Sequence, residues 1–312
     1  MECQVKKVLI SEVGPRDGLQ AIHQTMPTEQ KCRWIDALAA AGLQEIEVAS
    51  FVSPKLLPQM ADAAEVVRHA RTVPGLHVAV LVPNLKGAQA AMEAGAHKLT
   101  LPVSVSEAHS LANIRKTHQQ MQDEVAAIVA LRNEAFPTVS IEAGMSVAFG
   151  CTIAGDVPDD DTIRMSVRMA ELGVDEVGLS DTSGYANPVQ VKRLFKRLQA
   201  EVGEKSGGAH FHNTRGQGLA NVMAALEVGV LTFDASQGGL GGCPYAPGAT
   251  GNIVTEDLVF LLEASGVDTG IDLDKLNAAR QVLSGALPGE PLYGFVPSAG
   301  LPKDFHYARE QV

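Results

Sequence analysis

Eight short apolar, β-branched runs separated by stretches of helical period predict a (β/α)8 TIM barrel, one domain over residues 5–285, followed by a C-terminal extension over 286–312. Three observations carry that reading. The runs are evenly spaced, helical stretches between them close on glycine, and no low-complexity tract or Pro/Gly-rich linker divides the chain. The extension is rich in proline and glycine and cannot supply another barrel unit, which leaves it as a lid, an oligomer contact or a loose end.

The runs cover 8–14, 45–50, 78–83, 98–104, 139–148, 176–181, 208–213 and 232–238, and recur about every 32 residues, room for a strand, a crossover helix and two loops. The segment 28–41 places Trp34, Ile35 and Leu38 on one helical face, with Gly42 where a left-handed residue ends a helix. Segments 159–172 and 188–202 follow the same design. Gly229 closes a helix that starts near Arg215, and Gly266 closes one from Ile253. A doubly wound open sheet also alternates strands and helices, but eight even units in about 250 residues favour closure.

The chain has 312 residues, with 25 Lys+Arg against 36 Asp+Glu, a net charge of −11, and 46% hydrophobic residues, enough for a sizeable core. That acidity removes the positive field on which nucleic-acid binding depends, and 4% aromatics leave few stacking platforms. No apolar run is long enough to span a bilayer, and the N-terminal residues lack the apolar core of a signal peptide. Cys3, Cys32, Cys151 and Cys243 are scattered without metal-site spacing, as in a reduced, cytoplasmic protein.

Barrels of this kind carry their reactive groups at the C-terminal ends of the strands. The seventh run reads His210-Phe211-His212, and side chains two apart on a strand share a face, so both imidazoles can point to the barrel axis. They are candidate metal ligands, or else a hydrogen-bonded pair of core histidines. The first run ends in Arg16 and Asp17, a cation and an anion side by side: the carboxylate can serve a metal, and the guanidinium fork an enolate or carbonyl oxygen. Read alone, Arg-Asp is also a common surface turn. After the eighth run, residues 238–252 are rich in glycine and contain Cys243, either a thiol on a loop over the site or a small buried hydrophobe. Two imidazoles, a carboxylate and an amide oxygen, without thiolates, suit a six-coordinate divalent ion, Mg²⁺ or Mn²⁺.

Segments 12–20, 50–55, 83–87 and 239–246 resemble the 3-hydroxy-3-methylglutaryl-CoA lyase family, in order along residues 8–276, the glycine-rich cysteine loop being the most specific. The resemblance implies that Asp17, His210, His212 and Asn252 are metal ligands, that Arg16 stabilises an enolate and that Cys243 is a catalytic acid/base. Asp17 or His210 would take the substrate's hydroxyl proton. Glu47 and Asp181 match family carboxylates near the site, although Asp181 can equally cap the turn that follows it. Asn84 and Lys86, in the third matching segment, are candidate substrate contacts. The implied reaction is reverse-Claisen cleavage of 3-hydroxy-3-methylglutaryl-CoA to acetyl-CoA and acetoacetate, by a homodimer or higher homo-oligomer.

The chain also departs from the family pattern. Asn213-Thr214-Arg215 replaces Asp-Thr-Tyr, and Glu142 stands where human-type enzymes carry arginine; segment 106–109 and the extension diverge too. Arg215 can then pair with a substrate carboxylate or a CoA phosphate. These changes leave open a related tertiary-hydroxy acyl-CoA, such as citramalyl-CoA or a longer-chain analogue, and more distantly an aldolase or Claisen synthase of the same superfamily. Cys243→Ala protein should fold and bind the cation yet lose most of its turnover with a hydroxyacyl-CoA. Near-normal steady-state turnover would assign carbanion protonation to another group.

Overall fold

The computed structural model of the chain describes residues 6–241 and 251–310. β1 (Leu9–Glu12), β2 (Glu45–Ser50), β3 (His77–Leu81), β4 (Lys98–Ser104), β5 (Ser140–Ser146), β6 (Glu176–Asp181), β7 (Ser206–Phe211) and β8 (Thr232–Ala235) pair in parallel and in sequence order. β1 closes on β8, from Leu9 opposite Thr232 to Glu12 opposite Ala235, which completes the predicted TIM barrel. An outer pair, Lys6–Lys7 with Val267–Asp268, lies beside the barrel.

A crossover helix follows each strand: α1 (Thr28–Ala40), α2 (Ala63–Ala70), α3 (Leu85–Ala94), α4 (His118–Ala135), α5 (Asp159–Leu172), α6 (Pro188–Val202), α7 (Gly218–Glu227) and α8 (Thr255–Ala264), with shorter helical pieces at Leu19–Ala21 and Glu107–Asn113. Each packs one apolar stripe on the sheet. α6 buries Val191, Leu194, Phe195 and Leu198, the i, i+3, i+4, i+7 spacing of a single face. Asn187 caps it by accepting the Gln190 N–H, and Thr117 with Gln120 forms a capping box on α4. None of the described helices is long and apolar enough to cross a membrane.

Several strand and helix ends differ from the sequence expectation, three of them beside the mouth. α7 begins at Gly218 rather than near Arg215, because Asn213 Oδ1 accepts the Gly218 N–H and Gly216 adopts φ +71°. β8 stops at Ala235, where the chain turns through Gly238 at φ +68°. β1 stops at Glu12, and Gly14–Gly18 form one wide π-type turn in which Asp17 N and Gly18 N both donate to Val13 O, at 2.7 and 3.3 Å.

The C-terminal segment packs against the outside of the barrel. α9 (Leu273–Ala286) lies against α1, and the Asp272 N–H bonds Ala41 O. Farther on, Phe305 packs on Phe260 of α8, Ala308 N donates to Glu263, and Phe295 N and Val296 N donate to Asp257. Tyr293 N donates to Gly238 O, so the extension also touches the base of the glycine-rich loop.

Where the barrel closes, the fully buried Glu12 accepts hydrogen bonds from Gly14 N, Gln237 N and Thr255 Oγ1 at 2.7–2.8 Å. Gln237 in turn accepts from Trp34 Nε1 and donates to Leu276 O. Burial raises the Glu12 carboxyl from 4.5 to about 8, against the pull of these donors. Between those values the folded chain keeps a proton that the unfolded chain releases, so the stability due to Glu12 is complete below pH 4.5 and is lost as pH rises through 8. Thermal melts of wild type and Glu12→Gln at about pH 5 to about pH 9 should therefore diverge. Wild type loses stability on the order of a few kcal/mol that the variant keeps. Parallel curves would show a carboxylate already ionised in the native state.

Candidate active site

At the C-terminal ends of the strands the barrel opens into a cavity of about 560 Å³. Strand alternation turns His210 of β7 inward, and His212, just past the strand end, is held by a bridge to Asn252. Their Nε2 atoms face each other at 3.1 Å. The π-type turn after β1 delivers Asp17 to the same point, so Asp17, His210 and His212 offer ligand atoms that all lie within 4.8 Å of one another. Asn252 Nδ2 donates to Asp17 Oδ2 at 2.7 Å and to Leu240 O, and its buried Oδ1 has no partner among the described residues.

Two carboxylates lock the Arg16 guanidinium: its Nε donates to Glu47 Oε2 and its Nη1 to Asp17 Oδ1, both at 2.5 Å. The His210 ring is fixed by Asp234 of β8, whose Oδ2 lies 2.9 Å from Nδ1. A proton on Nδ1, shared with Asp234, leaves the Nε2 lone pair facing Asp17 and His212.

The electrostatics follow from this crowding. Burial alone would raise the Asp17 carboxyl, but Arg16, His210, His212 and the Asn252 hydrogen bond outweigh it and bring the group down to about 2. Burial lowers His212 to about 4, keeping it neutral. His210 moves up because Asp234 and Asp17 overcome its burial. An ionised carboxylate beside two imidazoles with converging lone pairs, all within the reach of one ion, is the donor arrangement of a hard divalent cation.

A sequence profile of the HMGL-like family matches residues 7–283. The chain belongs to this family. It is 41% identical over 288 residues to hydroxymethylglutaryl-CoA lyase of Bacillus subtilis, covering 92% of this chain and 95% of that one. It is also 41% identical over 283 residues to 3-hydroxy-3-isohexenylglutaryl-CoA/hydroxymethylglutaryl-CoA lyase of Pseudomonas aeruginosa, covering 90% and 93%. Its structure matches that of an HMG-CoA lyase from Acinetobacter baumannii in complex with coenzyme A and 3-methylmalate, with a TM-score of 0.91, 40% identity and coverage of 98% and 99%.

For this member of the family, the structure brings together Arg16, Asp17, Glu47, His210, His212 and Asn252. Asn84 lines the cavity while capping α3 through the Gly87 N–H. Cys243 lies outside the described residues. Three expectations change. Asp181 is buried beneath the turn it caps: its two oxygens accept the Tyr185 and Ala186 N–H groups, so the geometry favours the capping reading over a catalytic one. Burial nonetheless raises its carboxyl to about 6. Arg215 does not line the cavity; it donates to Ser183 O and Gly184 O at 3.0 Å and stacks on Tyr185. Lys86 is exposed on α3 and does not line the cavity.

Sequence reasoning missed Asp234 and the Lys98 cluster in the barrel interior. Lys98 Nζ lies 2.7 Å from Glu142, 3.3 Å from Glu176 and 3.4 Å from Glu45, and these carboxylates hold it protonated despite burial. It also missed His109, whose Nδ1 is 2.8 Å from Ser104 Oγ in the cavity wall. A signal for Asp234 was available: period-2 alternation along 232–236 turns Thr232, Asp234 and Ser236 to the same side. Asp234→Asn should weaken Mn²⁺ binding roughly 10- to 100-fold, as loss of a carboxylate supporting a histidine ligand does elsewhere. Titration calorimetry reads that change directly, and an unaltered affinity would show that Asp234 does not orient His210.

Proposed function

We propose that the protein is a divalent-metal-dependent lyase that cleaves 3-hydroxy-3-methylglutaryl-CoA to acetyl-CoA and acetoacetate. The observation that carries this reading is the convergence of Asp17, His210 and His212 beside a locked Arg16 in the barrel mouth. The names of relatives at about 40% identity support it. The residues fit a hard cation: donor atoms cluster within 4.8 Å, and Asn252 Oδ1, unpartnered among the described residues, is a further oxygen beside them. Asp17, His210, His212 and Asn252 would hold Mg²⁺ or Mn²⁺, which supplies Lewis-acid polarisation of the substrate's oxygens when bound.

The chain's own groups do the rest. Of the two candidate bases, Asp17 has a carboxylate oxygen to accept the proton of the tertiary hydroxyl, whereas His210 carries a proton on Nδ1 and offers its Nε2 lone pair to the cation. As that oxygen becomes the ketone of acetoacetate, the C–C bond breaks and its electron pair passes to the thioester fragment as an enolate. Arg16 has Nε and Nη1 engaged by Glu47 and Asp17, so Nη2 remains to donate to the enolate oxygen with little reorganisation. Cys243 protonates the carbanion carbon to give acetyl-CoA. The width of the cavity favours a second reading, in which the same lyase chemistry acts on a related tertiary-hydroxy acyl-CoA with a larger branch.

Coupled assays with 3-hydroxy-3-methylglutaryl-CoA should release acetyl-CoA, stop after exhaustive chelation and resume with Mg²⁺ or Mn²⁺. Arg16→Gln should lower kcat by roughly 10²–10³. Chelator-insensitive turnover would overturn the metal assignment, and absence of cleavage with every hydroxyacyl-CoA would overturn the lyase itself.

A further inference from the structure

Just below the His210 layer, the barrel interior is hollow where barrels of this class are usually filled by branched side chains. On β5 the alternation Glu142, Gly144, Ser146 faces inward; Gly144 pairs with Gly178 on β6, and Gly208 on β7 lies two residues before His210. All of these line the cavity that holds the histidines. The three glycines are not equivalent. A Cβ at Gly178 would lie 2.4 Å from Glu142 Oε1, so that glycine makes room for the carboxylate to rise into the cavity. At Gly208 a Cβ would crowd Thr232, at 3.0–3.1 Å. At Gly144 a Cβ would make only ordinary contacts, with Thr100 Cγ2 at 3.7 Å and Leu101 O at 3.8 Å, so a side chain there would stand in the cavity without clashing at its root.

The charge of this hollow narrows what can enter. Glu142 is held by Lys98, but that one cation is shared with Glu45 and Glu176, and Asp234 adds another carboxylate to the same cavity. The other cations lining the cavity, Arg16, Arg115 and Lys116, come from the loops at its mouth, so a negatively charged branch reaching down to Glu142 would be repelled there. A purely apolar branch would cover the Glu142 carboxylate without replacing the water it loses. An uncharged hydrogen-bond donor avoids both penalties.

We propose that this hollow is a specificity pocket for an uncharged branch carrying a hydrogen-bond donor, such as a hydroxyalkyl group, on the carbinol carbon of the acyl thioester, with Glu142 as the acceptor. The proposal rests on the lyase reading and specifies its substrate class.

The test compares four thioesters with the metal-loaded enzyme: 3-hydroxy-3-methylglutaryl-CoA and its analogues in which the methyl group is replaced by 2-hydroxyethyl, propyl or carboxymethyl. The hydroxyethyl compound should exceed its propyl isostere in kcat/KM by roughly three- to tenfold, the range of a single buried hydrogen bond, with the carboxymethyl compound poorest. Glu142→Ala should abolish the preference for hydroxyethyl over propyl. Should that variant fail to fold, Gly144→Val reads the same pocket: it should lower the hydroxyethyl-to-methyl ratio by about tenfold or more, because the added carbons stand in the cavity. Equal kcat/KM for hydroxyethyl and propyl, or a ratio unmoved by Gly144→Val, overturns the pocket while leaving the lyase standing. No cleavage of any of the four thioesters overturns the lyase reading and the pocket with it.

Discussion

The buried carboxyl of Glu12 joins three parts of the chain that are remote in sequence. It accepts from Gly14 at the start of the π-type turn, from Gln237 after β8 and from Thr255 at the start of α8. Through Gln237 the contacts continue to Trp34 of α1 and to the backbone of α9. The turn bearing Arg16 and Asp17 begins two residues beyond Glu12, and Asn252 lies three residues before Thr255, so one buried group sets the position of both sides of the mouth. Leaving any of these buried donors unmatched would cost about 1–3 kcal/mol, enough to loosen the closure. The closeness has a steric consequence too: a Cβ at position 14 would lie 2.6 Å from Glu12 Oε1 and 2.9 Å from the Trp34 ring, so only glycine fits there.

On that frame the mouth is built from charges that restrain one another. Arg16 is held between Glu47 and Asp17, Asp17 also receives Asn252, and His210 is aligned by Asp234. Each of these groups has at least one contact that fixes its orientation before substrate arrives, which is the condition for electrostatic stabilisation without reorganisation at the moment of reaction. The same contacts keep Asp17 ionised and burial keeps His212 neutral, the protonation states in which both can donate electron pairs to a cation.

Below the mouth, the barrel gives up aliphatic packing. Glycines at 144, 178 and 208 and the Lys98–Glu45–Glu142–Glu176 cluster occupy a region that branched residues normally fill. Buried ion clusters are weak contributors to stability, because desolvation offsets much of their attraction, yet removing a single member leaves an uncompensated charge. Stability therefore falls to the outer interface between helices and strands, where Trp34, Phe195, Phe211 and Phe233 are fully buried. The interior is left free to differ from that of relatives that share the outer shell.

The fold and the outline of the site were legible in the sequence, because both rest on local regularities. Spacing of apolar runs encodes strand and helix order, and period-2 alternation places His210 and His212 on one face whatever the rest of the chain does. The motif around Arg16 and Asp17 was readable for a similar reason: it sits at a strand end, where a barrel puts its reactive groups. Asp234, the Lys98 cluster and the hollow at Gly144 were not read, since they depend on the stagger between neighbouring strands and on which inward side chains share a layer. Arg215 and Asp181 show the same limit in reverse. Both were credible site residues by sequence position, but their polar atoms are engaged by backbone groups of one turn, Ser183–Gly184 for the arginine and Tyr185–Ala186 for the aspartate. Sequence by itself determined which strand end each candidate occupies; only the closed barrel decided which of them face one another, because contacts across the axis join residues that no local period relates.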